Sequence, residues 1–147
     1  MKLSGEVKFT RPIEDIWEAL HDTEILKNAI PGCQGLFLLE NGEHEVQLKL
    51  GVAAVKGEYV GKVKLLDIEA PCHYLLIAEG SGKPGFVNAK MECKINPLDE
   101  ESCQLVWDCE AEIGGKIAGV GNKVIGGIAK FFAGSFFKQI NKQLQLN

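Results

Sequence analysis

The chain has 147 residues, of which 46% are hydrophobic and 24% charged, and a net charge of −4. This composition is ordinary for a globular protein, and no apolar run approaches the ~20 residues that a membrane span needs. We therefore expect one domain over residues 1–147. A cytoplasmic location is expected too, because the first ten residues carry charges where a signal peptide has its apolar segment.

The cysteines and histidines form no motif. The five cysteines are an odd number without a CxxC pair, and the three histidines are scattered. This pattern argues against a disulfide framework and a zinc site. We expect reduced thiols in the core and no bound metal.

The first thirty residues predict a strand and two short helices. Residues 3–10 alternate between apolar and polar side chains, which is typical of a half-buried strand. After Pro12, apolar residues recur at helical spacing through Leu20. A second helix starts with Asp22 or Thr23 as its cap and ends before Pro31.

Six further strands follow. They are predicted over 34–40, 44–50, 54–68, 73–81 and 86–95, and through 105–113. Asn41-Gly42 is a strong hairpin signal, and short turns between strands predict an antiparallel sheet with one solvated face. The inner face carries unusually small residues, namely Gly57, Gly61, Ala78, Gly80, Ala89 and Ala111.

A long helix over 116–143 is expected to cover the inner face. Spacing at 100° per residue predicts a broad apolar arc of Ile117, Gly121, Val124, Ile125, Ile128, Phe131, Phe132, Ser135 and Phe136. Gly121 in this arc and the small sheet residues leave room for an apolar cavity, the usual form of a small-molecule site. Close packing by Phe132 and Trp107 into a solid core is the alternative.

The other side of this helix is basic. From Gly114 onward there are five lysines and no acid, so the tail carries +5 and the rest of the chain −9. Lys116, Lys123 and Lys130, with glycines beside them, are candidates for a membrane or partner face. The alternative is a solvated lysine stripe. The acidic body and the lack of a basic aromatic patch argue against nucleic-acid binding.

Four stretches resemble the G-subunit family of carbon monoxide dehydrogenase, within the helix-grip (START or polyketide cyclase-like, SRPBCC) superfamily. They are MKLSGEVKFTRPIEDIWEAL (1–20), LKNAIPGCQGL (26–36), VKGEYVGKVKLLDIEAP (55–71) and EAEIGGKIAGVGNKVI (110–125). IPGC followed by GGKIAxxG is the more specific signature. The resemblance implies an α+β helix-grip fold of order β-α-α-β6-α, with a curved antiparallel sheet wrapped around the long C-terminal helix.

The resemblance also implies a function. Such proteins are accessory to molybdenum hydroxylases, assist their maturation or membrane recruitment, and hold a quinone or similar lipophilic molecule in the helix-grip cavity. Many have a longer tail that contributes to membrane attachment. This chain ends at Asn147, so we expect any peripheral contact with the inner membrane face to rest on the lysine face.

We therefore predict a binding protein with no covalently bound cofactor. The predicted ligand residues are Tyr59, Leu76, Met91, Trp107, Gly121, Val124, Ile125, Ile128 and Phe132. Tyr59, Tyr74, Asn88 and Trp107 are the polar candidates near the ligand. No catalytic constellation is present, which favours a non-enzyme. A docking adaptor that uses the lysine face and a small cyclase-like enzyme remain the alternatives.

Overall fold

The computed structural model describes residues 1–145, so the last two residues of the predicted domain lie outside it. Seven strands, three α-helices and two short 3-10 turns are present in the described part. They are β1 (Lys2–Phe9), α1 (Ile13–Ala19), α2 (Thr23–Ala29), β2 (Cys33–Leu38), β3 (His44–Leu50), the first 3-10 turn (Ala53–Val55), β4 (Gly57–Glu69), β5 (His73–Gly82), β6 (Gly85–Asp99), β7 (Ser102–Gly114), the second 3-10 turn (Lys116–Val120) and α3 (Asn122–Gln145).

The strands form one antiparallel sheet in the order β1-β7-β6-β5-β4-β3-β2. Consecutive strands pair with each other, except that β1 lies beside β7, with Lys2 opposite Glu110 and Phe9 opposite Cys103. Alternation of apolar and polar residues buries one face of this curved sheet and leaves its charged face in solvent. The predicted α+β helix-grip architecture is confirmed.

The long helix begins later than its hydrophobic pattern indicates. Residues 116–120 form a separate 3-10 turn, and α3 starts at Asn122 instead of Lys116. Gly115 and Gly121 bracket the turn with φ of 81° and 96°, which are conformations that side chains with a Cβ rarely adopt. The predicted helix over 116–143 was therefore wrong at its start, and these two glycines serve to change the chain direction before α3.

The buried face of α3 also differs from the predicted arc. Phe137 and Ile140 are its most buried large residues, whereas Val124 and Phe131 are 47% and 69% exposed. The helix is rotated so that the stripe toward the protein interior runs through Ile125, Phe137 and Ile140.

Two separate buried clusters make up the core. The larger one lies between α1, α3 and the β1, β6 and β7 strands, and it contains Phe9, Ile16, Ile95, Leu105 and Ile140. The smaller one contains Val55, Ile117 and Ile125, where both 3-10 turns meet the start of α3. Helix α3 contributes to both clusters and so connects the two ends of the sheet.

Candidate functional site

Three alanines form a row across the middle of the inner sheet face. Ala78 on β5 lies opposite Ala89 on β6, which lies opposite Ala111 on β7. We call these three residues the alanine row. Because an alanine side chain is a single methyl group, the row forms a low strip that runs across three neighbouring strands.

Larger residues stand on either side of the alanine row. One step toward the larger cluster, Leu76 lies opposite Met91, and both pack against that cluster. One step the other way, Val87 lies opposite Ile113, and both pack against the smaller cluster. Within residues 1–145, the alanine row belongs to neither cluster, and its members are only half-buried although they lie on the inner face.

Helix α3 shows the same interruption. Ile125 and Ile128 contact the smaller cluster, and the contacts with the larger one begin at Ala133. The turn between them, which contains Ala129 and Phe132, belongs to neither cluster in the described part of the chain, and both residues are half-buried. The space between the helix and the alanine row is therefore incompletely filled by protein atoms.

A cleft of about 290 Å³ opens at one end of this space. It lies between the start of α3 and the β7 edge, and Ala111 of the alanine row is part of its wall. The remaining lining residues are Met1, Glu112, Ile113, Ala118, Asn122 and Ile125. Small-molecule sites commonly occupy about 300–1,000 Å³, so the cleft is at the lower end of that range.

The structure brings most of the predicted ligand residues to the inner side. Leu76 and Met91 flank the alanine row, Ile125 and Ile128 lie at the smaller cluster, and Phe132 lies between the clusters. Trp107 is buried in the larger cluster, where its indole covers Gly5, and Tyr59 is buried beside the first 3-10 turn.

Gly121 and Val124 lie elsewhere. Gly121 precedes α3 and is exposed, so it leaves no hollow in a helix face that meets the sheet. Val124 is 47% exposed and points away from the smaller cluster that holds its neighbour Ile125. Both placements follow from the helix starting at Asn122, which sets the rotation of its first turn.

The polar candidates are mostly engaged or outside the space. The Tyr59 hydroxyl donates a hydrogen bond of 2.7 Å to the carbonyl of Val55, and burial raises the pKa of this phenol. Asn88 is exposed on the outer sheet face, which corrects its expected position near the ligand. Asn122 at the cleft is a polar residue that the sequence pattern did not reveal, because that pattern predicts a continuous helix through this position.

Tyr74 and Cys93 are the buried titratable groups of the larger cluster, on neighbouring strands. Burial raises the pKa of Tyr74 well above its ordinary value, and it raises the pKa of Cys93 to about 11. Trp17 contacts the Tyr74 ring edge at a centroid distance of 5.8 Å. Both groups are therefore neutral near pH 7, which suits packing and leaves the thiol a poor nucleophile.

The N-terminus is a second feature that sequence reasoning overlooked. The Met1 amino group donates a 2.9 Å hydrogen bond to the carbonyl of Ala111, and Met1 lines the cleft. The alternation of β1 contains the signal, because Met1 has the same parity as the inward residues Leu3 and Gly5.

The predicted lysine face is exposed as a whole. Lys116 lies on the second 3-10 turn, and Lys123 and Lys130 lie on α3. Among residues 1–145, no ion pair includes any of the three. Lys130 also borders a groove of about 380 Å³ between α3 and β1.

Metal-binding clusters and membrane-spanning helices are both absent from the described residues. Over 1–145, no three His, Cys, Asp or Glu side chains come together in a way that would hold a metal ion. No helix in the same range combines the length and apolar character that crossing a bilayer requires.

Comparison with known proteins gives one family and a set of similar structures. The family model for the G subunit of carbon monoxide dehydrogenase (CoxG) matches residues 5–145. A conserved protein from Geobacillus kaustophilus is 37% identical, with a TM-score of 0.96 and coverage of 99% of this chain and 95% of that one. No curated protein matches the chain.

More distant structures share the fold. A START superfamily protein from Mycobacterium smegmatis is 16% identical with a TM-score of 0.76, and the match covers 99% of both chains. A Thermus thermophilus protein is 14% identical with a TM-score of 0.72, and the match covers 99% of this chain and 98% of that one. At these identities the similarity shows the fold alone.

Proposed function

The chain belongs to the CoxG family of carbon monoxide dehydrogenase, and from this premise we propose that it is a non-catalytic accessory protein that holds a lipophilic small molecule. The proposed ligand is quinone- or lipid-like. It lies between α3 and the inner face of the sheet, over the alanine row.

The half-buried alanine row supports this proposal most directly. Ala78, Ala89 and Ala111 lie under the long helix and between two well-packed clusters, yet they retain solvent exposure. A folded chain gains about 0.8 kcal/mol for each CH2 group buried, so an unfilled apolar strip is costly unless something else covers it. An apolar guest would supply the missing contacts.

The walls of the space match a molecule with an apolar body and one polar end. Leu76, Met91, Ile128 and Phe132 provide apolar surface, while Asn122 lies at the cleft that leads to Ala111. We expect the Asn122 amide to hydrogen-bond a carbonyl or hydroxyl of the ligand head. The ligand tail would then extend over the alanine row.

The proposal extends to the partner on the basis of the family. We propose that the protein serves a molybdenum hydroxylase in its maturation or in its coupling to the membrane and respiratory chain. In this role it acts in the cytoplasm and contacts the inner membrane face peripherally. No covalently bound cofactor takes part.

The test fills the space. Ala89→Phe places a ring over the alanine row and is expected to abolish uptake of a short-chain ubiquinone and of palmitic acid. Asn88→Phe is the matched control, because it introduces the same ring one residue away on the outer face. Uptake is measured by quenching of tryptophan fluorescence and by native mass spectrometry of protein purified without detergent. Wild-type protein that takes up neither probe, or equal uptake by both variants, would contradict the proposal.

A docking adaptor is the second candidate, and one observation favours it. Phe131 is 69% exposed on α3 between exposed Gly127 and Gly134, next to Lys130. An exposed aromatic ring with bare backbone beside it is typical of a contact surface. Phe131→Ala should then lower binding to a purified molybdenum hydroxylase, while Phe37→Ala, which removes another half-exposed ring from β2, should not.

A further inference from the structure

Three loops meet at the end of the molecule where α3 begins. They comprise residues 51–56, 82–85 and 114–121, and we call this surface the loop end. The Ile117 amide donates a 2.9 Å hydrogen bond to the carbonyl of Pro84, and Ile117 shares the smaller cluster with Val55. The Tyr59 hydroxyl, bonded to the carbonyl of Val55, holds the first 3-10 turn. The loops are therefore fixed to one another as a single surface.

The exposed side of the loop end is apolar. Val52 and, on the adjoining first turn of α3, Val124 are 40% and 47% exposed, and Ala53, Ala118 and Gly119 are exposed as well. Gly119 has open space around it, so nothing in the described chain covers this part of the backbone. The cleft beside the alanine row opens at the same place, with Ala118 and Asn122 at its edge.

Lysines surround this apolar surface. Lys56, Lys83, Lys116 and Lys123 are all exposed, and they come from four different segments. Within residues 1–145, none of the four takes part in an ion pair. The nearest carboxylates in sequence, Glu58 and Glu112, belong to the outward-pointing residues of β4 and β7.

We propose that the loop end docks on an anionic phospholipid bilayer. The four lysines would lie at the level of the lipid phosphates, and Val52, Ala53 and Val124 would enter the interfacial region. Charge complementarity selects this occupant, since unpaired lysines around small apolar side chains match a negatively charged surface with an apolar interior.

This orientation gives the cleft a purpose that rests on the proposed function. With the loop end on the bilayer, the cleft faces the lipid, and an apolar ligand passes between the membrane and the alanine row without crossing water. The orientation differs from one in which the side of α3 lies on the membrane, because that arrangement relies on Lys130, Lys138 and Phe131 instead.

Flotation with vesicles tests the orientation through three triple variants of equal charge change. The loop-end variant is Lys56→Glu/Lys83→Glu/Lys116→Glu. The outer-face control is Lys62→Glu/Lys64→Glu/Lys90→Glu, and the helix-side variant is Lys130→Glu/Lys138→Glu/Lys142→Glu. All nine lysines are exposed.

Wild-type protein should float with vesicles of phosphatidylethanolamine and phosphatidylglycerol, but not with phosphatidylcholine alone. The loop-end variant should lose roughly a hundredfold in partitioning, the product expected for three lysines near an anionic leaflet. The other two variants should retain most of their binding. Val52→Ser should weaken binding more than Val60→Ser, which alters a comparably exposed valine on the outer face.

Each remaining outcome overturns the proposal. Absence of wild-type flotation, equal loss in the outer-face control, or loss in the helix-side variant alone would do so. Retention of the loop-end variant on vesicles together with loss of binding to a hydroxylase would indicate a protein-docking surface instead. Uptake of ubiquinone from solution should be unchanged in the loop-end variant, so this test and the ligand test fail independently.

Discussion

Among single residues, His73 has the most defined polar surroundings. Its Nε2 lies 3.2 Å from a carboxylate oxygen of Glu92, and its Nδ1 lies 3.1 Å from the carbonyl of Asp67. Both neighbours accept hydrogen bonds, so only the doubly protonated ring can donate to both. The hydrogen bond to Glu92 raises the pKa of His73, and the same bond lowers the pKa of Glu92.

These shifts predict a window of pH in which the pair stabilises the fold. The contribution of His73 is complete below its ordinary pKa of 6.5 and is lost as the pH rises through its raised pKa. The contribution of Glu92 is complete above its ordinary pKa of 4.5 and is lost as the pH falls through its lowered pKa. His73→Gln should therefore lower the free energy of unfolding more at about pH 5.5 than at about pH 8.5, as measured by urea denaturation.

The Lys2–Glu110 pair provides the control for this experiment. Its atoms are 3.7 Å apart on the same outer face, and a lysine–glutamate pair contains no group that titrates between the two pH values. Glu110→Gln should change stability by a similar amount at both. A His73→Gln effect that does not depend on pH would mean that the ring acts only by packing.

At the level of elements, α3 and the turn before it contain glycines with different roles. Gly127 and Gly134 lie within the helix, and a Cβ at either position would meet no atom. Gly121 has as much space, but its φ of 96° and ψ of 148° lie in a region that only glycine populates readily. The same substitution at these positions therefore isolates the effect of backbone conformation.

Gly127→Ala is expected to raise the free energy of unfolding by about 0.5–1 kcal/mol, since alanine is the better helix former and restricts the unfolded chain. Gly121→Ala is expected to lower it by about 1–3 kcal/mol because of backbone strain. Chemical denaturation of the two variants measures both effects. A stabilising Gly121→Ala would show that the break before Asn122 is not required for folding.

On the scale of the whole molecule, the two buried clusters behave as two centres of packing. Ile140 lies in the larger one with 0% exposure, and Ile117 lies in the smaller one with 5%. The alanine row separates them on the sheet, and the turn of α3 with Phe132 separates them on the helix. A ligand in this space would bridge the clusters, so its binding should stabilise the chain as a unit.

The separation predicts additivity. Ile117→Val and Ile140→Val should each cost about 0.5–1.5 kcal/mol, and the double variant should equal their sum within about 0.5 kcal/mol. Ile95→Val with Leu105→Val is the comparison pair, because these residues lie opposite each other on β6 and β7 within one cluster. There we expect a coupling of at least about 0.5 kcal/mol, measured by a double-mutant cycle. Coupling between Ile117 and Ile140 in the ligand-free protein would indicate a continuous core.

Strand prediction succeeded where the pattern was local. The strand over 44–50 has the expected bounds, and the inward residues Ala78, Ala89 and Ala111 follow from alternation alone. Their placement on one inner face was therefore predictable from the sequence. Their direct alignment into one row depends on the register of three strands, and register is a property of pairing between distant segments.

The helix shows the limit of the same reasoning. Its lysines and its apolar residues were separable by angle, but the burial of Phe137 and the exposure of Phe131 were not predicted. A single sequence shows a broad apolar arc, and the part of that arc that meets the sheet depends on how the helix crosses it.

The local sequence was sufficient for the order of strands and helices, the inner and outer faces of each strand, and the basic character of the last helix. These features depend on backbone periodicity and on side chains close together in the chain. The tertiary structure decided where α3 begins, which of its residues face inward, and how the alanine row, the cleft and the lysines of the loop end come together. Those features require contacts between segments such as 51–56 and 114–121, which are distant in sequence and become neighbours only when the sheet has formed.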